Sequence, residues 1–431
     1  MVFENVLRGL LGLAVWVGSG YALSQNRRAI NWRTVGVGLG LQLIFAFAVL
    51  EIAAVQQVIQ SVSTFFVQLL QFSQDGAAFL FGPLVEEDQL GYIFAFQVLP
   101  TILFFSALTS VLFYLNILQT VVKGFGWMMS RSMGLSGAES LSAAANIFIG
   151  QTEAPLMVKP YIQSMSRSEL MALMSGGMAT IAGGVLAAFV GFLGGDSEAE
   201  RALFASHLIS ASVMSAPAAL VMAKLLVPET QSIQYALRIS RQEVGTNLLD
   251  AIASGTSQGL RLAVNVGALL LVFTALMAML NAIFAGLGDA FGLNSWITHQ
   301  TDGRFDQLSV QLILGYLFAP LAWLLGVEQG DITQIGFLLG EKTILNEFYA
   351  YKSLSALKSQ AGALHPRSIL IATYALCGFA NFGSIGIQIG GIGALAPNKR
   401  TELSSLGLWS LVAGTLACFM TATIAGMLFN P

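Results

Sequence analysis

Two acidic residues sit in stretches that are otherwise apolar. Glu153 lies within Asn146-Ile-Phe-Ile-Gly-Gln-Thr-Glu-Ala-Pro155, and Glu347 within Thr343-Ile-Leu-Asn-Glu-Phe348. A carboxylate carried into hydrocarbon costs at least ~2.5–3.5 kcal/mol, so each needs a reason to be there. The chemistry on offer is binding. A carboxylate accepts hydrogen bonds from hydroxyls or holds a cation, and an amide or hydroxyl beside it adds donors and acceptors. Gln151 and Thr152 precede Glu153 directly. Asn381 and Ser384 repeat the pattern at i, i+3 spacing, which places them on one helix face. The structural alternative is a Glu bonded to backbone amides at a hairpin tip, with Asn and Ser as glue between helices. Ligand or ion binding is the stronger reading of an intramembrane ionisable group. Phe379 suits either packing or the lining of a pocket.

The elements that hold these groups follow from composition. Of 431 residues, 10% are charged and 55% hydrophobic, with a mean hydropathy of +0.72. A soluble domain carries roughly 25% charged residues. A cytosolic enzyme, a disordered chain and a nucleic-acid binder are thereby excluded, and a polytopic all-α membrane protein is left. The net charge of −3 names no partner. Cys377 and Cys418 lie in apolar runs, and His207, His299 and His365 are scattered, so the spacing predicts neither a disulfide framework nor a metal cluster. Gly286-Leu-Gly-Asp289 matches a short intramembrane protease element, but that chemistry needs a second membrane aspartate. There is no HExxH for a zinc protease. A channel would line a continuous pore with repeated rings, whereas single polar residues at closed breaks suit alternating access.

Crossing roughly 30 Å of hydrocarbon takes about 20 residues. Eight stretches qualify: 5–24, 35–55, 92–119, 170–193, 203–226, 262–287, 368–395 and 404–428. The first is read as a retained helix rather than a cleaved leader. Arg27, Arg28, Arg33, Lys123, Arg131, Arg167, Arg238, Arg241, Arg261, Lys399 and Arg400 then fall on one side, which the positive-inside rule makes cytoplasmic. Glu86, Glu87, Asp88, Asp196, Glu198, Glu200, Asp289, Asp302 and Asp306 fall on the other, so both termini are expected outside, with Arg8, Arg201, Arg304 and the four basic residues from Lys342 to Arg367 as exceptions. Residues 56–84 read as an interfacial amphipathic helix, 227–258 as a polar surface segment, and 309–326 as a short apolar segment with Pro320 inside.

Gly150 and Pro155 break the first polar segment into half-helices at 137–149 and 155–165, each too short to span. Residues 330–357 have the same two-armed form. Each of these re-entrant hairpins precedes a glycine-rich span, the first with Gly176, Gly177, Gly183 and Gly184, the second with Gly378, Gly383 and Gly386. The order hairpin, broken helix, final helix thus occurs twice in opposite orientation. Such an inverted repeat puts the binding site of a secondary transporter near the midplane.

The motifs GQTEAPL at 150–156, SAPAAL at 215–220, NEF at 346–348 and CGFANFGSIGIQIGGIGALAP at 377–397 resemble the concentrative nucleoside transporter family. NVGALLL at 265–271 and GTLACFMTATIAG at 414–426 are similar too. The resemblance covers about residues 90–428 and implies the family's short bacterial form, with eight spans, two hairpins and interfacial helices. It implies an inner (plasma) membrane protein, a homotrimer in the lipid bilayer, and uphill uptake of nucleosides such as uridine or adenosine by an elevator-like movement. Residues 1–120 and 261–287 would form the scaffold. Residues 121–260 and 309–431 would form the two repeats of the transport domain.

Carried over residue by residue, Gln151, Thr152 and Glu153 resemble nucleobase contacts, with Val185 packing against the base. Glu347, Asn381 and Ser384 resemble ribose contacts beside Phe379. The sodium ligands implied are Asn146, Ile149, Thr180 and Ile181, the two isoleucines through main-chain carbonyls. Sodium takes hard oxygen ligands, which Asn146 and Thr180 supply from their side chains. The rival within transport is proton coupling with Glu153 or Glu347 as proton carrier. Gly383 departs from the family's usual serine and removes a hydroxyl near the ribose end.

Overall fold

The computed structural model describes residues 2–85, 93–195, 197–232, 246–301, 303, 305–360, 362 and 364–429. Among them every regular element is helical. The chain opens with α1 (Val2–Ala22), α2 (Trp32–Glu51) and α3 (Ala53–Phe81), followed by α4 (Leu99–Tyr114) and α5 (Ile117–Met133). The first hairpin is α6 (Gly137–Asn146), α7 (Ala154–Met157) and α8 (Lys159–Ile162). A helix broken into α9 (Arg167–Ala179) and α10 (Gly183–Gly194) follows, then α11 (Glu198–Leu226). The second half contains α12 (Leu248–Ala290), α13 (Leu293–Gln300) and α14 (Val310–Leu325). Its hairpin is α15 (Ile332–Ile344) and α16 (Glu347–Ser359), followed by the broken pair α17 (Pro366–Leu376) and α18 (Phe382–Leu395), and α19 (Arg400–Leu428). Two-armed hairpin, broken helix and long helix therefore recur in order.

Among the described residues seven helices are long and apolar enough to cross a membrane, against eight expected stretches. α1 stands outside that count because Asn5, Arg8 and its glycines dilute its apolar run. The expected span 368–395 is two short helices separated by Cys377–Asn381. The segment expected at the interface, 56–84, is a continuous helix of 29 residues whose length and composition also permit crossing. Span 262–287 begins fourteen residues earlier than expected, because Asp250, Ser254, Gln258 and Arg261 continue one helix of 43 residues. The second arm of the first hairpin is two single turns rather than one half-helix. Pro155 and Pro160 each stand at the start of a turn, where a missing amide costs nothing, and interrupt anything longer. Glu86, Glu87, Asp88, Asp196, Asp302, Arg238, Arg241 and Arg304, all used in the charge argument, lie outside the described residues.

Burial divides the helices. α9, α10, α11 and α19 are buried over most of their length, whereas α12 exposes nearly all of its apolar surface. Leu249, Val264 and Leu271 on α12 are exposed at 76%, 58% and 72%. α12 packs against α4, and α10 packs on both α4 and α11, so the broken helix lies between that exposed pair and the buried core.

Local signals start the core helices. Ser136 and Glu139 form a capping box at α6, and Ser166 and Glu169 another at α9. Lys224, near the end of α11, joins these two starts. Its Nζ lies 2.6 Å from Glu139 Oε2 and donates to Ser168 Oγ at 2.9 Å. The Lys224 and Glu139 side chains are 5% and 0% exposed. Removing one partner of such a pair leaves a buried charge unmatched at a cost of about 3–5 kcal/mol. Lys224→Ala is therefore expected to melt well below wild type in detergent. Pairing it with Glu139→Gln should recover much of the loss, and a double variant no more stable than Lys224→Ala would show that the pair is not coupled.

Candidate binding site

The second hairpin and the second broken helix present helix starts to one point. Asn346 caps α16 by accepting from Tyr349 N at 3.0 Å, which places Glu347 in the first turn. Asn381 caps α18, its Oδ1 accepting from Ser384 N at 2.8 Å. Asn381 Nδ2 donates to Glu347 Oε2 at 2.7 Å. The positive ends of two helices thus face one carboxylate, which favours its charge.

The network continues into the first hairpin. Gln151 Nε2 donates to Ser384 Oγ at 3.1 Å, and Gln388 Nε2 donates to Gln151 Oε1 at 2.9 Å and to Met174 O at 3.0 Å. Glu347, Asn381, Ser384, Gln151 and Gln388 are all buried. Four of the expected site residues, Gln151, Glu347, Asn381 and Ser384, are therefore joined by hydrogen bonds across the two hairpins. Gln388 was missed. Its signal was an amide one turn after Ser384 and two turns after Asn381, on the same face of an otherwise apolar helix. Gln388→Ala should release Gln151 from its clamp and raise KM for substrate several-fold. A KM equal to wild type would show that Gln388 only ties helices together.

Glu153, at the tip of the first hairpin, faces a different set of residues from Glu347. Its half-buried side chain folds over Gly150, where no Cβ intervenes. It lines a cavity of about 190 Å³ with Ser106, Thr109 and Ser110 of α4 and Ser254 and Gln258 of α12. No residue of the second hairpin lines that cavity. Thr152 is exposed, with its methyl toward Gly391 of α18. Val185 is buried one turn before Phe189, whose ring centroid lies 5.0 Å from Phe348 and 4.3 Å from Tyr351 of the second hairpin. Phe379 is buried in the core.

The proposed cation ligands lie where two breaks meet. Gly183 N donates to Phe148 O at 3.2 Å, stitching the first hairpin's break to the gap between α9 and α10. Asn146 is 1% exposed and its Oδ1 has no hydrogen-bond partner among the described residues. Thr180 Oγ1 donates to Gly176 O at 2.9 Å and keeps its lone pairs. The carbonyls of Ile149 and Ile181 accept no hydrogen bond among the described residues. A free amide oxygen, a hydroxyl and unclaimed carbonyls fit a hard monovalent cation. The two broken helices also touch at their breaks. Gly378 has φ 121°, and a Cβ there would sit 2.7 Å from Ala179 O. Only glycine meets both demands.

Closed hairpins whose polar tips meet discontinuous helices inside an apolar helical body define a membrane carrier. The family model described as Na+ dependent nucleoside transporter C-terminus matches residues 207–426, its N-terminal counterpart matches 11–84, and the nucleoside recognition Gate model matches 95–196. A Haemophilus influenzae protein named as an uncharacterized transporter is 42% identical over 98% of each chain. Rattus norvegicus solute carrier family 28 member 3 is 39% identical, covering 97% of this chain and 58% of its own length. The solved structure of CNTnw in an inward-facing substrate-bound state superposes with a TM-score of 0.90 at 41% identity, covering 99% of this chain and 98% of that one. The chain belongs to the concentrative nucleoside transporter family, and it is a transporter, not an enzyme.

Proposed function

We propose that the chain is a sodium-coupled symporter that concentrates nucleosides in the cell. The observation that carries this reading is the hydrogen-bonded line Glu347–Asn381–Ser384–Gln151, which joins the two hairpins. A ribose diol can replace the contacts within that line. Glu347 accepts from the hydroxyls, while Asn381 and Ser384 give and accept the remaining bonds. Gln151 and Thr152 take the polar edge of the base, Val185 its apolar face, and Phe379 backs the sugar. Glu153 serves the base through the adjoining cavity, by way of water. Sodium is held by Asn146, Ile149, Thr180 and Ile181.

Coupling follows from the contact between breaks. A cation bridging Asn146 to the Thr180 hydroxyl and the Ile181 carbonyl orders the first hairpin's tip, and that tip carries Gln151. Such coupling is worth typically ~1–3 kcal/mol. Each positive charge moved inward gains about 2.3 kcal/mol per 100 mV of membrane potential. The hairpins with α9–α11 and α17–α19 form the moving body of an elevator, and α1–α4 and α12 form the scaffold. The exposed apolar surface of α12 supports its place against lipid and neighbouring protomers of a trimer. The protein sits in the inner membrane with both termini outside. The free Asn146 oxygen favours sodium over Glu153 or Glu347 as proton carrier.

Radiolabelled uridine and adenosine uptake into proteoliposomes tests the reading. An inward sodium gradient should drive accumulation, and choline in place of sodium at constant pH should abolish it. Uptake that persists in choline and follows the pH gradient would assign the coupling to protons instead.

A further inference from the structure

Glu341 is a buried acid that the proposed sodium and nucleoside sites do not use. It lies in the last turn of α15 and is 0% exposed, and neither of its carboxylate oxygens has a hydrogen-bond partner among the described residues. Its sequence neighbour Lys342 does not neutralise it. Successive helix residues differ by about 100° in direction, and Lys342 Nζ instead donates to Ala375 O of α17 at 2.8 Å.

Among the described residues, the groups packed around Glu341 offer no other cation. Toward α14, Gly340 of α15 faces Leu314, and Tyr316 of α14 is turned outward. On α16, the Ser353 hydroxyl faces Glu341 without completing a hydrogen bond, and Tyr349 lies within electrostatic range with its phenol toward Thr274 of α12. Glu347 is engaged with Asn381, and Lys352 is exposed. On α17, Tyr374 is held by His207, and beyond the start of α15 Asp331 is held by His365.

An ionised carboxylate without a partner is not tolerated in such a place, so a positive charge must reach it. The two hairpins make a parallel. Asn146 stands seven residues before Glu153, Glu341 stands six before Glu347, and each ends the first arm of its hairpin with an unclaimed buried oxygen. The surroundings differ in one respect. Asn146 adjoins the unclaimed carbonyls of two breaks, whereas Glu341 faces a single hydroxyl, too few oxygens for a metal cation.

We infer that Glu341 is a second cation site of this transporter and that its ligand is a proton. Protonation makes one Glu341 oxygen a donor to Ser353 Oγ, so the buried acid becomes neutral and bonded at once. The second hairpin then carries this proton together with sodium and nucleoside. The inference rests on the symport reading above, and two measurements keep the outcomes apart.

The first measurement is uridine uptake into proteoliposomes at a fixed inward sodium gradient, with the outside either acidic or at the internal pH. Wild type should take up uridine several-fold faster with acid outside. In Glu341→Gln, which mimics the neutral form, the ratio of the two rates should fall to unity. An undiminished ratio in the variant overturns the proposal. So does a lower sodium Hill coefficient in the variant with the pH response intact, which would make the site a sodium site. The second is infrared difference spectroscopy of purified wild type against Glu341→Gln at neutral pH without substrate. A carboxylic-acid carbonyl band lost in the variant supports the assignment, and a carboxylate band in its place overturns it. Failure of sodium to drive uptake in wild type would defeat the symport reading alone, because the infrared result still decides whether Glu341 holds a proton.

Discussion

Glu347→Gln is expected to weaken uridine binding by roughly 10- to 100-fold, because a hydrogen bond to a charged group contributes about 1.5–3 kcal/mol. The loss should appear in affinity rather than in folding. Glutamine has nearly the same shape, and its amide oxygen can still accept from Asn381 Nδ2, which now lies 2.7 Å from Glu347 Oε2. What disappears is the negative charge at the convergent starts of α16 and α18, and with it the charge-assisted bond to a ribose hydroxyl. Titration calorimetry of the purified protein with uridine in saturating sodium measures this directly. An affinity equal to wild type would remove Glu347 from the ribose site. A variant with lower thermal stability and unaltered affinity would make Glu347 a capping residue only.

Asn146→Ala is expected to raise the sodium concentration for half-maximal uptake on the order of tenfold, with a smaller effect on maximal rate at saturating sodium. Asn146 Oδ1 is a buried side-chain oxygen at the meeting of the two breaks with no hydrogen-bond partner among the described residues, whereas Thr180 Oγ1 donates to Gly176 O. Deleting it should therefore cost ion binding more than it costs packing. The sign of the linkage is definite. If sodium orders the tip that carries Gln151, weaker sodium binding must also weaken uridine binding at low sodium, and excess sodium must restore it. An unaltered sodium curve would take Asn146 out of the ion site. A uridine defect that excess sodium leaves in place would mean that Asn146 shapes the hairpin instead.

Several elements were legible because their causes are local. Gly150 and Pro155 keep the first hairpin from being one continuous helix whatever surrounds them, and the Ser-x-x-Glu boxes at 136–139 and 166–169 start α6 and α9 where they stand. Other features were not legible. The polar residues 250–261 concealed the continuity of α12, because they read as surface while still favouring helix. Gln388 is a single amide in an apolar run, and its partner Gln151 lies 237 residues away, beyond the reach of any local signal. Glu341 stands beside Lys342 in the sequence, and only the direction of each side chain shows that the two do not pair. Glu153 and Glu347 looked like equivalent tips, yet one faces α4 and α12 and the other meets Asn381.

The residues alone determined that this chain lives in lipid, that its helices break at two polar tips and two glycine-rich stretches, and which oxygen and nitrogen atoms it can offer there. Those outcomes depend on solvent transfer and on backbone geometry within a few residues. Which of the offered atoms meet was decided only by the packing of α9–α11 and α17–α19. A hydrogen bond needs its partners placed to within a few tenths of an ångström, and no local rule sets that distance between segments more than 200 residues apart.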